Sequence, residues 1–193
     1  MFKIIPPALR VILDIKERKI DGFLLPGHVS AIIGSKTYEF IAKEYKVPAV
    51  ISGFEPKDIL KSMDMLISQI KNKKPSIEIQ YTRVVDPDGN KTAHDILKEV
   101  FIIVDSRWRG IGDMPKSGMT LNKNYENFDA FKKFDLKISK ASENKYCQCG
   151  NVLLGLKTPK DCRLFGKACS PGNPIGPCMV SSEGTCAAVY KYG

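Results

Sequence analysis

The sequence predicts an α/β fold, in which a parallel sheet is followed by an irregular, mixed, cysteine-rich region. Two observations support this prediction. Over the first hundred residues, short apolar runs alternate with amphipathic segments, which is the order expected of strands and helices in a parallel sheet. All six cysteines of the 193-residue chain lie in its last 47 residues, among glycines, prolines and small polar residues. This concentration of thiols indicates a local site.

Three apolar segments in the first part of the chain are predicted to be strands. The first ends at Pro26 and Gly27, which interrupt a strand, and the third alternates apolar and polar residues. The predicted strands cover residues 22–26, 47–52 and 76–85. Between the first two, aromatic and aliphatic residues recur at helical spacing within residues 36–45.

The clearest helix is predicted from Pro56 to Lys71. Its apolar side chains recur with the period of an α-helix. They are Ile59, Met63, Leu66 and Ile70. Proline suits the first turn of a helix and lysine suits the last, where it faces the negative end of the helix dipole.

The character of the sequence changes near residue 105. The next twenty residues hold the only Trp and show little periodicity, and a short amphipathic segment leads from them into the cysteine-rich tail. We therefore predict two domains, an α/β domain over residues 1–105 and a cysteine-rich domain over residues 106–193.

Two loops follow predicted strands, at residues 26–34 and 52–56. Because the carboxyl ends of neighbouring parallel strands meet at one edge of a sheet, we expect these loops to form one candidate surface. His28 in the first loop is a candidate donor or ligand, and Glu55 in the second is a candidate proton carrier. The structural alternatives are a surface histidine and a carboxylate that stabilises a helix N-terminus.

Four of the six cysteines stand out by the spacing C-x12-C-x6-C-x16-C. They are Cys149, Cys162, Cys169 and Cys186. Four thiolates are what a cubane [4Fe-4S] cluster needs. Zinc is the nearest alternative, but structural zinc sites usually contain paired C-x2-4-C motifs, whereas Cys147 and Cys149 are separated by one residue. Disulfide bonds and unligated thiols are further alternatives for these cysteines. We expect Cys147 and Cys178 to be spare, or to exchange thiols with a partner.

The surroundings of the cysteines are cationic. Residues 151–193 hold five Lys or Arg against Asp161 and Glu183. Positive charge stabilises a net-negative thiolate cluster and favours its reduced form. Glu183 precedes Cys186 by three residues, so we expect it near any cluster, as a proton carrier or as a helix-capping carboxylate.

Charge and hydropathy exclude some classes of function. The formal net charge is +9, but the lysines are spread along the chain and are not interleaved with aromatic residues, so we do not expect nucleic-acid binding. An acidic protein partner would be as good an explanation of the positive charge as nucleic acid would be. No run of 18 apolar residues is present and no signal peptide is apparent, so we expect a cytoplasmic protein with no membrane contact.

Four segments together resemble one known family. They are the loops LLPGHVSAIIGSKTYEF and PAVISGFEPKDIL, the segment DSRWRGIG, and the tail CQCGNVLLGLKTPKDCRLFGKACSPGNPIGPCMVSSEGTCAAVYKYG. They are similar to the corresponding parts of the hydrogenase formation protein HypD family. The resemblance covers the chain from about Pro6 to Gly193.

The resemblance implies a specific function. The family takes part in assembling the Fe(CN)2CO centre of nickel–iron hydrogenases, together with the small chaperone HypC and the cyanide donor HypE. The resemblance implies a scaffold that transfers electrons rather than a conventional turnover enzyme. It also implies one [4Fe-4S] cluster, bound by Cys149, Cys162, Cys169 and Cys186. The His of PGHVS, His28, and the Glu of SSEG, Glu183, are implied to have functional roles.

The resemblance also implies that half of a family member is not in this sequence. The opening IIPPALRVILD looks like the middle of a member, so this chain would supply the second, Rossmann-like α/β domain and the cluster-bearing domain. The other half holds the cysteine that binds the iron being decorated and a Cys-Pro-x-Cys pair. We expect this chain to carry the cluster, and to bind the cyanide-bearing iron only if that half is supplied. A zinc-holding docking module and an inactive remnant stay as alternatives.

Overall fold

A computed structural model describes residues 2–136 and 144–193. The strands are β1 (Phe2–Lys3), β2 (Phe23–Pro26), β3 (Ala49–Ser52), β4 (Ile77–Ile79), β5 (Phe101–Trp108) and β6 (Gly112–Leu121). The longer helices are α1 (Ile5–Asp14), α2 (Gly27–Ile33), α4 (Pro56–Asn72), α5 (Lys91–Val100) and α9 (Thr185–Tyr192). Short helices are α3 (Glu39–Lys43), α6 (Ala130–Lys133), α7 (Cys149–Leu153) and α8 (Pro177–Val180), with 3-10 turns at Lys36–Tyr38, Lys123–Phe128 and Pro159–Asp161.

Contacts between residues divide the described chain into two compact units. The sheet unit comprises Ile20–Ile102 and Met119–Tyr125. The cysteine unit comprises the described residues of Met1–Lys19, Ile103–Gly118 and Glu126–Gly193. The predicted division near residue 105 did not anticipate that residues before Lys19 belong with the cysteines, because nothing in that segment distinguishes it by composition.

The sheet unit is built on a three-stranded parallel sheet, which confirms the predicted α/β class. The strand order is β2-β3-β4, with Phe23 opposite Ala49 and Ala49 opposite Ile77. The central strand β3 is buried along its whole length. Its apolar run, AVIS, suits a strand that is covered on both faces.

The third strand is shorter than predicted. Only Ile77–Ile79 forms a strand, and the expected strand over residues 80–85 is wrong. The amides of Gln80 and Tyr81 both donate to the Ile51 carbonyl, at 2.9 and 3.2 Å, and the amide of Val85 then donates to the Tyr81 carbonyl at 3.1 Å. The chain therefore turns where the alternation of the sequence suggested that it would continue.

The long helix α4 confirms the predicted helix. The face of α4 that is buried, however, is not the apolar face that the sequence pattern indicated. The buried side chains are polar, namely Asp58, Ser62 and Gln69. Ile59 and Met63 of the apolar stripe are 39% and 44% exposed. Polar residues can face inward here because each is hydrogen-bonded, for example Gln69, whose Oε1 accepts from the Ser76 amide at 2.8 Å.

A long hairpin occupies the segment in which the sequence showed little periodicity. Strands β5 and β6 pair with each other, and β1 pairs with β6 on its other side. The turn between them uses Gly110 and Gly112 at φ of 84° and 119°, which glycine adopts readily. The Trp108 indole donates to Ser117 Oγ at 2.8 Å, so the Trp ties the two strands together.

Short helices and turns surround the cysteines in the cysteine unit. Four cysteines belong to its buried core together with Val152, Met179 and Ala187. Among the described residues, no helix is long and apolar enough to cross a lipid bilayer.

Candidate metal centre

All six cysteines line one small cavity in the cysteine unit. Phe165, Gly176 and Met179 complete its wall. Three cysteines are placed by helices, Cys149 at the start of α7, Cys178 in α8 and Cys186 in α9. The other three lie outside the helices, in irregular segments where Cys169 forms a single β-bridge with Phe165.

Two of the cysteines are joined by a disulfide, and four are free. Cys149 is bonded to Cys178, with the two Cα atoms 6.1 Å apart. The Cys178 amide also donates to the Cys149 sulfur at 3.2 Å. The free cysteines are Cys147, Cys162, Cys169 and Cys186.

This pairing differs from the predicted ligand set at one position. Cys149 was predicted to be a ligand, but its sulfur is bonded to Cys178 and carries no thiolate charge for a metal. Cys147 was predicted to be spare, and it is a free thiol on the same cavity. The spacing of the four free thiols is C-x14-C-x6-C-x16-C.

The four free thiols influence one another electrostatically. Burial and, after it, negative charge on the other three free cysteines together raise the pKa of Cys186 to about 11. Burial also raises the pKa of Cys147, against a hydrogen bond from the Cys149 amide and the positive charge of Arg109, which lower it. A bound cation would relieve both the burial and the repulsion, because metal-bound thiols are held as thiolates.

The walls of the cavity suit a group held by thiolates. A Cβ atom on Gly176 would lie 2.5 Å from the Cys147 sulfur, so only glycine allows this close approach of the main chain. The Ile175 amide donates to the Cys169 sulfur at 3.4 Å, and hydrogen bonds of this kind stabilise thiolate ligands. In the part of the chain that the structure describes, no three His, Cys, Asp or Glu side chains form a ready site for a single metal ion. The donor set, four thiols on one cavity, fits an iron–sulfur cluster.

Glu183 is in the cysteine unit but does not line the cavity. Its side chain is exposed, and its amide donates to Ser181 Oγ at 3.2 Å. The adjacent Gly184 packs closely on the main chain of Cys178, so the turn that carries Glu183 is held next to the disulfide.

His28 and Glu55 belong to the sheet unit, and the segments that carry them meet as expected, although residues 27–33 form helix α2 where the sequence predicted a loop. The His28 ring lies 5.0 Å from the ring of Phe54, centroid to centroid. Glu55 is the residue before α4, is exposed, and pairs with Lys57 Nζ at 3.0 Å and with Arg83 at 3.6 Å. These contacts place both residues at the carboxyl edge of the parallel sheet.

A buried carboxylate that the sequence analysis missed organises this edge. Asp58 is 2% exposed and accepts two hydrogen bonds from the Arg83 guanidinium, at 3.1 and 2.7 Å. Hydrogen bonds from Arg83, with a further one from Gln80, lower the pKa of Asp58 to about 2. Gln80 Oε1 in turn accepts from the Gly53 amide at 3.1 Å, so the network joins residues 80–83 to the loop between β3 and α4. The sequence signal was an acidic residue in the first turn of a helix, a position that more often faces solvent.

A cavity lined by free thiols, in a chain that also contains a parallel-sheet α/β unit, provides a donor set of the kind that binds metals. Comparison with known proteins defines the family. The model of the HypD family, described as "Hydrogenase formation hypA family", matches residues 1–193. The chain therefore belongs to the HypD family, which confirms the resemblance found in its sequence.

Curated relatives support the same assignment. The chain is 44% identical to hydrogenase maturation factor HypD2 of Bradyrhizobium diazoefficiens, over 97% of this chain and 51% of that protein. It is 43% identical to hydrogenase maturation factor HypD of Cupriavidus necator, over 97% of this chain and 52% of that protein. A putative hydrogenase expression/formation protein of Methanocaldococcus jannaschii is 41% identical, over 97% and 52% of the two chains. The chain spans about half the length of these relatives.

Proposed function

We propose that this chain takes part in assembling the Fe(CN)2CO centre of nickel–iron hydrogenases, as the cluster-bearing part of a maturation factor. The observation that carries the proposal is the set of four free thiols on one cavity, in a chain of the HypD family. The ligands of a [4Fe-4S] cluster would be Cys147, Cys162, Cys169 and Cys186. When bound, such a cluster supplies and accepts single electrons.

The residues of the chain support this use of the cavity. Cys169 and Cys186 are 7% and 8% exposed, so water is largely excluded from two of the four ligands. The Ile175 amide and the cationic surroundings stabilise thiolate charge. The Cys149–Cys178 pair lines the same cavity, so its reduction would add two thiols next to the four that are free.

The iron that is decorated with cyanide and carbon monoxide is cargo rather than a resident group. We propose that it is handled together with the half of the family's chain that this sequence lacks, a HypC-type chaperone and a HypE-type cyanide donor, in the cytoplasm. His28, Glu55 and Glu183 are the proposed functional side chains of this chain. His28, in the first turn of α2, and Glu55, directly before α4, follow β2 and β3 at the carboxyl edge of the sheet, which is where ligands of parallel sheets bind.

Metal analysis of a matched pair of variants tests the ligand set. The full chain is purified or reconstituted under anaerobic conditions, and iron, sulfide, zinc and the visible spectrum are measured. We expect about four irons and four sulfides per chain for the wild type. Cys147→Ser should lose most of the iron, whereas Cys149→Ser should keep it, although the two positions are only two residues apart.

Other outcomes would contradict parts of the proposal. If Cys149→Ser loses iron and Cys147→Ser keeps it, the ligand set deduced from spacing is right and the one proposed here is wrong. Zinc without sulfide in the wild type would contradict the cluster and support a structural docking module.

Thiol counting provides a check that does not need bound iron. The metal-free chain, denatured without reductant, should react with a thiol reagent at four cysteines, and at six after reduction, because one pair is joined. Six reactive thiols before reduction, in protein purified with air present, would contradict the pairing of Cys149 with Cys178.

A further inference from the structure

The hairpin turn between β5 and β6 packs directly on the start of α7. A Cβ atom on Gly150 would overlap the carbonyl oxygen of Gly110, so the two main chains touch at these glycines. The turn is closed by the Ile111 amide, which donates to the Trp108 carbonyl at 3.1 Å. Residues of the turn are therefore held next to the cysteine segment, although they are some forty residues away in the sequence.

Arg109, in this turn, lines a second small cavity with two of the cysteines. Cys147, Cys149 and Gly176 are part of the same wall. Among the described residues that form this cavity, Arg109 is the one that carries a charge. Its guanidinium donates to the Ile175 carbonyl at 3.3 Å.

The segment that Arg109 contacts also touches two of the free cysteines. The Ile175 amide donates to the Cys169 sulfur at 3.4 Å, and Gly176 lies against the Cys147 sulfur. Residues 175–176 therefore contact both Arg109 and the free thiols of Cys169 and Cys147.

We propose that Arg109 is a positioning residue for the iron–sulfur centre. It holds residues 175–176 against Cys169 and Cys147, and its charge favours the more negative, reduced state of a cluster on the four free thiolates. This inference rests on the proposed function, since it concerns the cluster that we propose there. It assigns a role in the cysteine site to the segment DSRWRGIG, which lies outside the cysteine-rich tail.

The size of the expected electrostatic effect follows from Coulomb's law. A unit charge about 10 Å from the centre, at an effective dielectric constant near 20, changes a one-electron equilibrium by roughly tenfold. Arg109 is exposed, so solvent and salt weaken the effect to about three- to tenfold. For one electron this corresponds to a midpoint roughly 30–60 mV more negative when the charge is removed.

Three variants of the full chain test the proposal. Arg109→Gln removes the charge, and Arg109→Lys keeps the charge but removes the planar guanidinium group. Arg107→Gln is the control, because it removes a positive charge from an exposed side chain of β5. Each is reconstituted anaerobically with ferrous iron and sulfide, and its midpoint potential is measured in a titration with dithionite. Hydrogen exchange of the Ile175 and Gly176 amides, which lie between two prolines, is measured on the metal-free chains.

We expect Arg109→Gln to bind iron with a more negative midpoint, Arg109→Lys to restore most of the potential, and Arg107→Gln to stay close to wild type. Exchange of the Ile175 and Gly176 amides should be faster in Arg109→Gln than in Arg107→Gln. Loss of iron from Arg109→Gln alone would support the positioning role. A wild-type midpoint together with wild-type exchange in Arg109→Gln would overturn the proposal. A wild type that binds no iron would contradict the proposed function instead, and the exchange of the metal-free chains would still decide whether Arg109 holds the segment.

Discussion

Replacing Gly176 with Ala should disturb the candidate centre without straining the backbone. Gly176 has φ of −99° and ψ of 154°, which alanine adopts freely. Its new Cβ atom would lie 2.5 Å from the Cys147 sulfur and 3.2 Å from Cys149 Cβ. Non-bonded carbon contacts are normally about 3.5–4.0 Å, so the overlap with the sulfur exceeds roughly 1 Å.

The structure decides how this overlap can relax. Cys149 is tied to Cys178 and cannot move away easily, so the Cys147 side chain must rotate or residues 175–176 must shift. Overpacking of this kind costs about 1–3 kcal/mol of unfolding free energy. Because Cys147 is a proposed ligand, the same shift should also reduce iron binding.

Gly172→Ala is the matched control, because a Cβ atom at that position would meet nothing within 4 Å. Urea unfolding of the metal-free chains and the iron and sulfide content of reconstituted chains are the assays. We expect Gly176→Ala to lose stability and iron, and Gly172→Ala to lose neither. If both variants match the wild type in both assays, the close packing of residue 176 on Cys147 is wrong.

Two further predictions concern packing and charge. Gly150→Ala should destabilise the metal-free chain by at least as much as Gly176→Ala, since its Cβ would overlap the main-chain oxygen of Gly110, and urea unfolding that matches the wild type would contradict this contact. Asp58, whose pKa is lowered to about 2 by Arg83, should stabilise the fold above its ordinary pKa near 3.8 and lose that contribution as the pH falls through about 2. Unfolding measured from pH 6 to pH 2 should therefore show a steeper loss for the wild type than for Asp58→Asn, and parallel curves would refute this pH dependence.

Local patterns in the sequence predicted most of the sheet unit. The apolar runs predicted β2 and β3, and the spacing of apolar residues within 56–71 predicted α4. Such patterns succeed because the spacing of apolar residues follows the geometric repeat of a helix or strand. The same patterns failed where a tertiary contact overrides them. Residues 80–85 alternate like a strand but turn, and the side chains of Gln80 and Arg83 both reach the buried Asp58.

The hairpin of β5 and β6 shows another reason for failure. One of its strands contains small and polar residues that gave no clear period, among them Ser117, which is fully buried. Its partners are Trp108 on the facing strand and the Met114 carbonyl, at 2.8 and 2.9 Å. These contacts form only when the strands pair, so no local window of sequence shows them.

The sequence by itself determined the family, strands β2 and β3, helix α4, and the presence of six thiols in one segment. Only the tertiary structure decided which of those thiols are free. Cys147 and Cys149 are two residues apart, with Gln148 between them, so spacing cannot separate them. The fold separates them by placing Cys149 at the start of α7, within bonding distance of Cys178, and Cys147 against Gly176. The physical reason is that composition and period are properties of neighbours along the chain, whereas a ligand set depends on distances between residues that are far apart in sequence.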